Sequence, residues 1–126
     1  GITVDKMVPR GREMIIGMSR DHQFGPMVMF GLGGIYVNYL KDVAFRLAPM
    51  NEREAQQMME ETRSYSLLKG VRGETPADID TLREAIIRVS HLVWDFPELQ
   101  DLDINPIFVY DDGKGVSALD VKITLS

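Results

Sequence analysis

Cysteine is absent from this 126-residue sequence, which excludes disulfides and thiolate zinc sites. No apolar run approaches the roughly 20 residues that cross a bilayer as a helix. The opening residues, Gly1-Ile2-Thr3-Val4-Asp5, lack the basic-then-apolar order of a secretion signal. They also lack an initiator methionine, so a start inside a longer gene product is expected. An excess of positive charge is missing too. The formal balance is -5, which argues against general nucleic-acid binding. These absences point to a cytosolic protein that neither enters nor coats a membrane. If such an acidic chain handles phosphates, it must concentrate its positive charge locally or recruit Mg2+. What is present suits a soluble globular fold: 44% of residues are hydrophobic and 26% charged. The length fits one domain or part of one.

The apolar pattern changes period along the chain. Residues 2–8, 13–18 and 26–30 read as strands, separated by Pro9-Arg10-Gly11 and by the polar turn Arg20-Asp21-His22-Gln23. Short turns between strands suggest an antiparallel meander. Two helices follow. Asn51 with Glu54 three residues on has the form of a capping box. It opens a helix running to about Arg63, with Ala55, Met58, Met59 and Thr62 on one face and the two methionines in the core. The second helix starts near Asp78 and is stopped by Pro97. Ile79, Leu82, Ile86, Val89, Val93 and Phe96 give it a strong amphipathic stripe. Two more strands, 102–110 and 116–125, close the chain around Asp111-Asp112-Gly113-Lys114-Gly115. Strands, then helices, then strands predict an α+β fold, mostly antiparallel sheet with two main helices.

The final hairpin carries the most chemical information. Asp112-Gly113 is a favoured two-residue turn. Centring the hairpin there sets Asn105 opposite Asp120 and Asp103 opposite Lys122. A three- or five-residue loop, which Gly115 permits, would break that register. Period-two alternation puts Leu119, Val121, Ile123 and Leu125 on one face and Ala118, Asp120, Lys122 and Thr124 on the other. Leu102, Ile104 and Phe108 are expected to share a face of the partner strand, with Asp103 and Asn105 opposite. Directly opposed side chains have Cβ atoms about 4.5–5.5 Å apart, so a carboxylate and an amide oxygen could reach one hard cation. Mg2+ at nucleotide sites takes one or two carboxylates plus phosphate oxygens and water. The plainer alternative is a polar face turned to solvent, with Asp103 and Lys122 as a surface ion pair.

The segment Leu102-Asp103-Ile104-Asn105-Pro106-Ile107, followed by Ala118-Leu119-Asp120-Val121-Lys122, resembles the end of a known domain. It is the ATP-grasp domain in β subunits of succinyl-CoA synthetase and their ADP-forming acetyl-CoA synthetase relatives. Further motifs extend the resemblance over nearly the whole chain: Gly11-Arg12-Glu13, Ile15-Ile16-Gly17, Phe24-Gly25-Pro26, Phe30-Gly31-Leu32-Gly33-Gly34-Ile35, Phe45-Arg46-Leu47-Ala48-Pro49 and Leu68-Lys69-Gly70-Val71-Arg72-Gly73. Several ordered motifs are far more specific than one Gly-rich loop. The resemblance implies the C-terminal part of an ATP-grasp domain, whose N-terminal subdomain is expected elsewhere. It also implies Mg2+ and ATP or ADP as cofactors, with Asn105 and Asp120 as Mg2+ ligands. Asp103, standing where many ATP-grasp enzymes carry Glu, is the third metal-site candidate that the resemblance implies.

The implied reaction is reversible: acyl-CoA, ADP and phosphate give carboxylate, CoA and ATP. Phosphate passes through a histidine. Neither His22 nor His91 lies in a matching segment. The phosphorylated histidine is therefore expected on a partner, a CoA-binding or ligase subunit or domain. Asn38 departs from the acidic residue usual at its position. Four further features are each open to two readings. Gly33 and Gly34 either allow close approach to a phosphoryl group or form a simple turn. Glu13 either orients a phosphate or is a rim or ion-paired carboxylate. Arg46 suits a phosphate clamp or a structural pair with Asp or Glu. Lys69 and Arg72 either contact a phosphate-bearing ligand or complement a helix dipole. Two other functions fit the same residues: a non-catalytic interaction module, or the ATP-grasp part of a fused acetyltransferase.

Overall fold

The structure is a computed structural model that describes residues 11–33, 42–70 and 73–125. The strand expected at residues 2–8 lies outside the described residues. Strands β1 (Arg12–Asp21) and β2 (Gly25–Leu32) form an antiparallel hairpin. Its turn is held by Asp21, whose Oδ1 accepts from the amides of Gln23 at 2.7 Å and Phe24 at 3.0 Å. The polar run at residues 20–23 therefore folds as an Asx-type turn, as Asp at this place favours. Strand β3 (Val43–Leu47) pairs β2 on the far side from β1. Helices α1 (Glu52–Glu60), α2 (Tyr65–Leu68) and α3 (Ile79–Asp95) come next, then strands β4 (Leu99–Val109), β5 (Val116–Ala118) and β6 (Val121–Leu125). The sheet order is β3-β2-β1-β4-β5, with β6 also on β4 and every pairing antiparallel.

Helices α1 and α3 pack on each other and on one face of this sheet. The strands turn Met14, Ile16, Met18, Val28, Phe30, Leu102 and Ile107 into the core there. Ala55, Met58, Met59 and Thr62 are buried, as their spacing requires, and so are Leu82, Ile86, Val89 and Val93. Each fully buried large side chain contributes about 1.5–3 kcal/mol relative to exposure, so this interface is the main source of stability. The capping box is present, with the Asn51 side chain accepting from the Glu54 amide at 2.8 Å and the Glu54 carboxylate accepting from the Asn51 amide at 3.1 Å. The C-terminal end of α3 is held differently. The Arg20 guanidinium donates to the carbonyls of Val93, Phe96 and Leu99, satisfying acceptors that a helix end otherwise leaves free.

The structure corrects three details. Phe96 is the C-cap of α3 and half exposed, so the apolar stripe ends at Val93. The expected strand at 116–125 is broken into β5 and β6 at Leu119-Asp120. Phe108 does not share a face with Leu102 and Ile104. Ile16 faces Ile104 and Met14 faces Ile107, so Asn105 and Pro106 together oppose the single residue Ile15. This extra residue is a β-bulge. It turns Ile107 toward the helices and sets Phe108 opposite Glu13.

Candidate metal site

The hairpin joining β4 to β5 folds around Asp112-Gly113. The Lys114 amide donates to the Asp111 carbonyl at 2.8 Å. Gly113 takes the left-handed conformation, φ 82°, that such turns ask of glycine. From this turn the register runs without a slip. Tyr110 donates to the Gly115 carbonyl at 3.0 Å, and Val109, Phe108 and Ile107 face Val116, Ser117 and Ala118. Leu119 then donates to the Pro106 carbonyl at 3.1 Å and Asn105 to the Asp120 carbonyl at 3.0 Å. Ile104 faces Val121 and Asp103 faces Lys122. Asn105 thus lies across the hairpin from Asp120, at the register that a two-residue turn dictates. It also lies in the bulge against β1. Bulges concentrate beside functional sites, where they re-aim a side chain.

Asn105 and Asp120 are both exposed. Among the described residues neither side chain has a hydrogen-bond or ion-pair partner. An amide oxygen and a carboxylate are hard donors, and two such ligands suit a cation that keeps phosphate and water in its remaining positions. Among the described residues no group of three or more His, Cys, Asp or Glu could hold a metal alone. Any cation here must therefore share its coordination with something else. Asp103 is half-buried, across from Lys122 on β6 and Gly17 on β1. Among the described residues it forms no ion pair with Lys122, so the surface pair does not close. Asp103 instead edges a shallow cavity of about 310 Å³ lined in part by Gly17, Met27, Met29 and Phe45.

The remaining candidates divide. Glu13 sits on β1, half-buried, opposite Phe108. Its carbonyl accepts from the Gly33 amide at 2.9 Å, which brings these two candidates together. Gly33 is a site of close approach, but the approaching group is β1: a Cβ there would meet the Met14 carbonyl at 2.9 Å. Arg46 lies opposite Val28 and pairs with Glu61 just beyond α1 through both terminal nitrogens. The Glu61 carboxylate raises the Arg46 pKa and has its own lowered in return, so this guanidinium is engaged within the fold. Lys69 caps the C-terminal end of α2, with its ammonium 5.6 Å from the centre of the Tyr65 ring. Gly34, Asn38 and Arg72 lie outside the described residues. His22 and His91 are exposed, in the β1–β2 turn and on α3.

One residue near this hairpin carries more than its sequence position suggested. Asp78, read only as a helix start, is buried at 5% exposure. Its Oδ1 accepts from the Thr81 amide at 3.1 Å, and its Oδ2 accepts from the Thr81 hydroxyl at 2.9 Å and the Gly115 amide at 2.8 Å. Burial pushes its pKa up, but hydrogen bonds from Thr81, Gly115 and Gly113 outweigh it and hold the value below the usual 3.8. An Asp at a helix start is an ordinary N-cap in sequence. The second contact, to Gly115, leaves no sequence signal.

Known proteins are similar to this chain in sequence and in fold. The chain is 53% identical over 116 residues to the ADP-forming acetate–CoA ligase I of Archaeoglobus fulgidus, covering 92% of this chain and 17% of that protein. It is 48% identical over 125 residues to the β subunit of ADP-forming acetate–CoA ligase I of Pyrococcus furiosus, covering 99% of this chain and 53% of that subunit. The chain therefore spans about half of that subunit and a smaller part of the single-chain ligase. Among solved structures, it resembles the dinucleotide-forming acetyl-coenzyme A synthetase 1 of Ca. Korarchaeum cryptofilum, in complex with coenzyme A and Mg-AMPPCP. The TM-score is 0.88 at 43% identity, covering 94% of this chain and 55% of that one. That structure has a phosphohistidine segment pointing towards its nucleotide-binding site. The family of ATP-grasp domains matches residues 1–125. With the antiparallel sheet, the helices on one face and this match over almost every residue, the chain belongs to the ATP-grasp domain family.

Proposed function

We propose that this chain is the nucleotide- and Mg2+-binding part of an ADP-forming acyl-CoA synthetase of the acetyl-CoA type. It works in reversible phosphoryl transfer between ATP or ADP and a phosphohistidine, coupled to acyl-CoA formation or cleavage. The observation that carries this is the Asn105–Asp120 pair: two hard oxygen donors set opposite each other, exposed, with no partner among the described residues. Similarity to ADP-forming ligases in two archaea supports the reaction class. The nucleotide complex of a solved relative supports the cofactor.

In this reading residues 1–126 form the C-terminal part of the ATP-grasp domain. The partners are its N-terminal subdomain and a CoA-binding or ligase subunit or domain bearing the histidine. Asp120 supplies the negative charge that favours a divalent cation, and Asn105 adds a neutral oxygen. Bound there, Mg2+ supplies neutralisation of phosphate charge, on which phosphoryl transfer depends. Asp103 and Glu13 then bound the polar side of the site, and Gly33 keeps the β2 end tight against β1. Asp120→Asn in the complete enzyme tests the reading, because it keeps size and removes charge. The expected result is weakened Mg2+-nucleotide binding and slowed phosphoryl transfer with the fold intact, and Asn105→Ala should act similarly. Unchanged Mg2+ dependence in Asp120→Asn would overturn the assignment.

A further inference from the structure

β6 is exposed along its whole length: Val121 to 48%, Ile123 to 54% and Leu125 to 65%. Burial normally specifies strand register, because a slip would move core side chains to solvent. An exposed edge strand lacks that restraint. Yet the opposition of Asn105 to Asp120 depends on register alone. A shift of one residue would put Leu119 or Val121 across from Asn105. The packing of Val116 against the core reaches only β5, so what holds β6 in place must act from the turn end of the hairpin.

Just beyond the last ladder pair, Val109 with Val116, the Tyr110 amide donates to the Gly115 carbonyl, and Asp78 grips both residues. The Asp78 amide donates to the Tyr110 carbonyl at 2.8 Å, and its Oδ2 accepts from the Gly115 amide at 2.8 Å. Nearby contacts brace the same place: Asp112 donates to the Pro76 carbonyl at 2.8 Å, and Ala77 bridges Asp111. The anchor itself is fixed, since Asp78 caps α3, whose apolar face is in the core. A residue that binds one member of a pair through its main chain and the other through its side chain fits only one register.

We propose that Asp78 is a positioning residue for the Asn105–Asp120 pair, locking the hairpin in the register that sets those two side chains opposite each other. This rests on the reading that the pair holds Mg2+. Asp78 touches neither ligand and acts through β4 and the outer strand. It couples the helix layer to the site through two hydrogen bonds at the far end of the hairpin.

Asp78→Ser separates the two tasks of this carboxylate. Serine is as good an N-cap as aspartate, but it is too short to hold Thr81 and Gly115 at once. In the complete enzyme the variant is expected to keep its melting temperature within a few degrees. Its half-saturating Mg2+ concentration, at saturating nucleotide, should rise about fivefold. Asp120→Asn runs beside it. If Asp120→Asn shifts Mg2+ dependence and Asp78→Ser does not, the positioning role is overturned while the metal reading stands. If neither does, both fall. Should Asp78→Ser fail to fold, amide exchange in the native enzyme decides. Binding of Mg-ADP must slow exchange at Gly115 if the clamp and the site are coupled, because such coupling is reciprocal. Unchanged Gly115 exchange overturns the proposal.

Discussion

A carboxylate taken out of water stays ionised only if donors replace the water. Asp78 shows both sides of that balance: burial raises its pKa, and the amides and hydroxyl aimed at it lower it further than burial lifts it. Its folded-state value is therefore below the unfolded 3.8. The linkage has a definite sign. At pH values between the two, the unfolded chain binds more protons, so stability rises with pH. The contribution is complete above 3.8 and is lost as pH falls through the folded-state value. Urea midpoints measured from pH 6 downward should fall more steeply below pH 3.8 in the native chain than in Asp78→Ser. Parallel curves would show that Asp78 is not held as its hydrogen bonds imply. Asp21 is lowered in the same direction by the amides of Gln23 and Phe24. It is exposed, and solvent screening makes its share of the slope small.

Among the elements, α3 carries the greatest packing load. Leu82 has no exposed surface, and truncating such a leucine removes transfer free energy and leaves a cavity. Leu82→Ala should destabilise the chain by about 2–5 kcal/mol, read as a fall in the urea midpoint; an unchanged midpoint would remove α3 from the core. At the start of α1, Asn51→Ala should cost about 1 kcal/mol by the same measurement, and no loss would mean that the capping box is not formed in solution. Both helices were legible in the sequence because their signals are local: a cap three residues from its partner and stripes of period 3.6. The hairpin register was legible as the one that a two-residue turn at Asp112-Gly113 implies, while the alternative loop lengths that Gly115 permits could be set aside only by the observed pairings. β3 was not legible. Its Phe45 and Leu47 are exposed while Arg46 is half-buried against Glu61, which inverts the polarity a reader expects of a strand. The bulge at Asn105-Pro106 was missed because it exists only against β1, far away in sequence. α2 is one turn long, too short for periodicity to mark. The pairing of Arg46 with Glu61 also rests on a tertiary contact, and spacing alone left it level with a phosphate clamp.

At the scale of the molecule, the proposed two-ligand site and a chain spanning 53% of a related β subunit point the same way. The purified 126-residue chain should form no ATP from acyl-CoA, ADP and phosphate. Detectable turnover would refute the division of labour proposed here. The exposed β6 has another consequence, for handling rather than catalysis. Among the described residues β6 pairs only with β4, leaving a sheet edge whose side chains alternate between the branched apolar Val121, Ile123 and Leu125 and the polar Lys122 and Thr124. Such an edge is a template for intermolecular strand addition. Lys122, with no ion-pair partner among the described residues, is then a gatekeeper whose solvation discourages a second strand from docking. Lys122→Val should leave the chain folded yet make concentrated solutions scatter light sooner on standing. Equal scattering by both proteins would show that the edge is protected in another way. The lysine across from Asp103 would thus serve colloidal stability, keeping an exposed strand beside the proposed site from being captured by its neighbours.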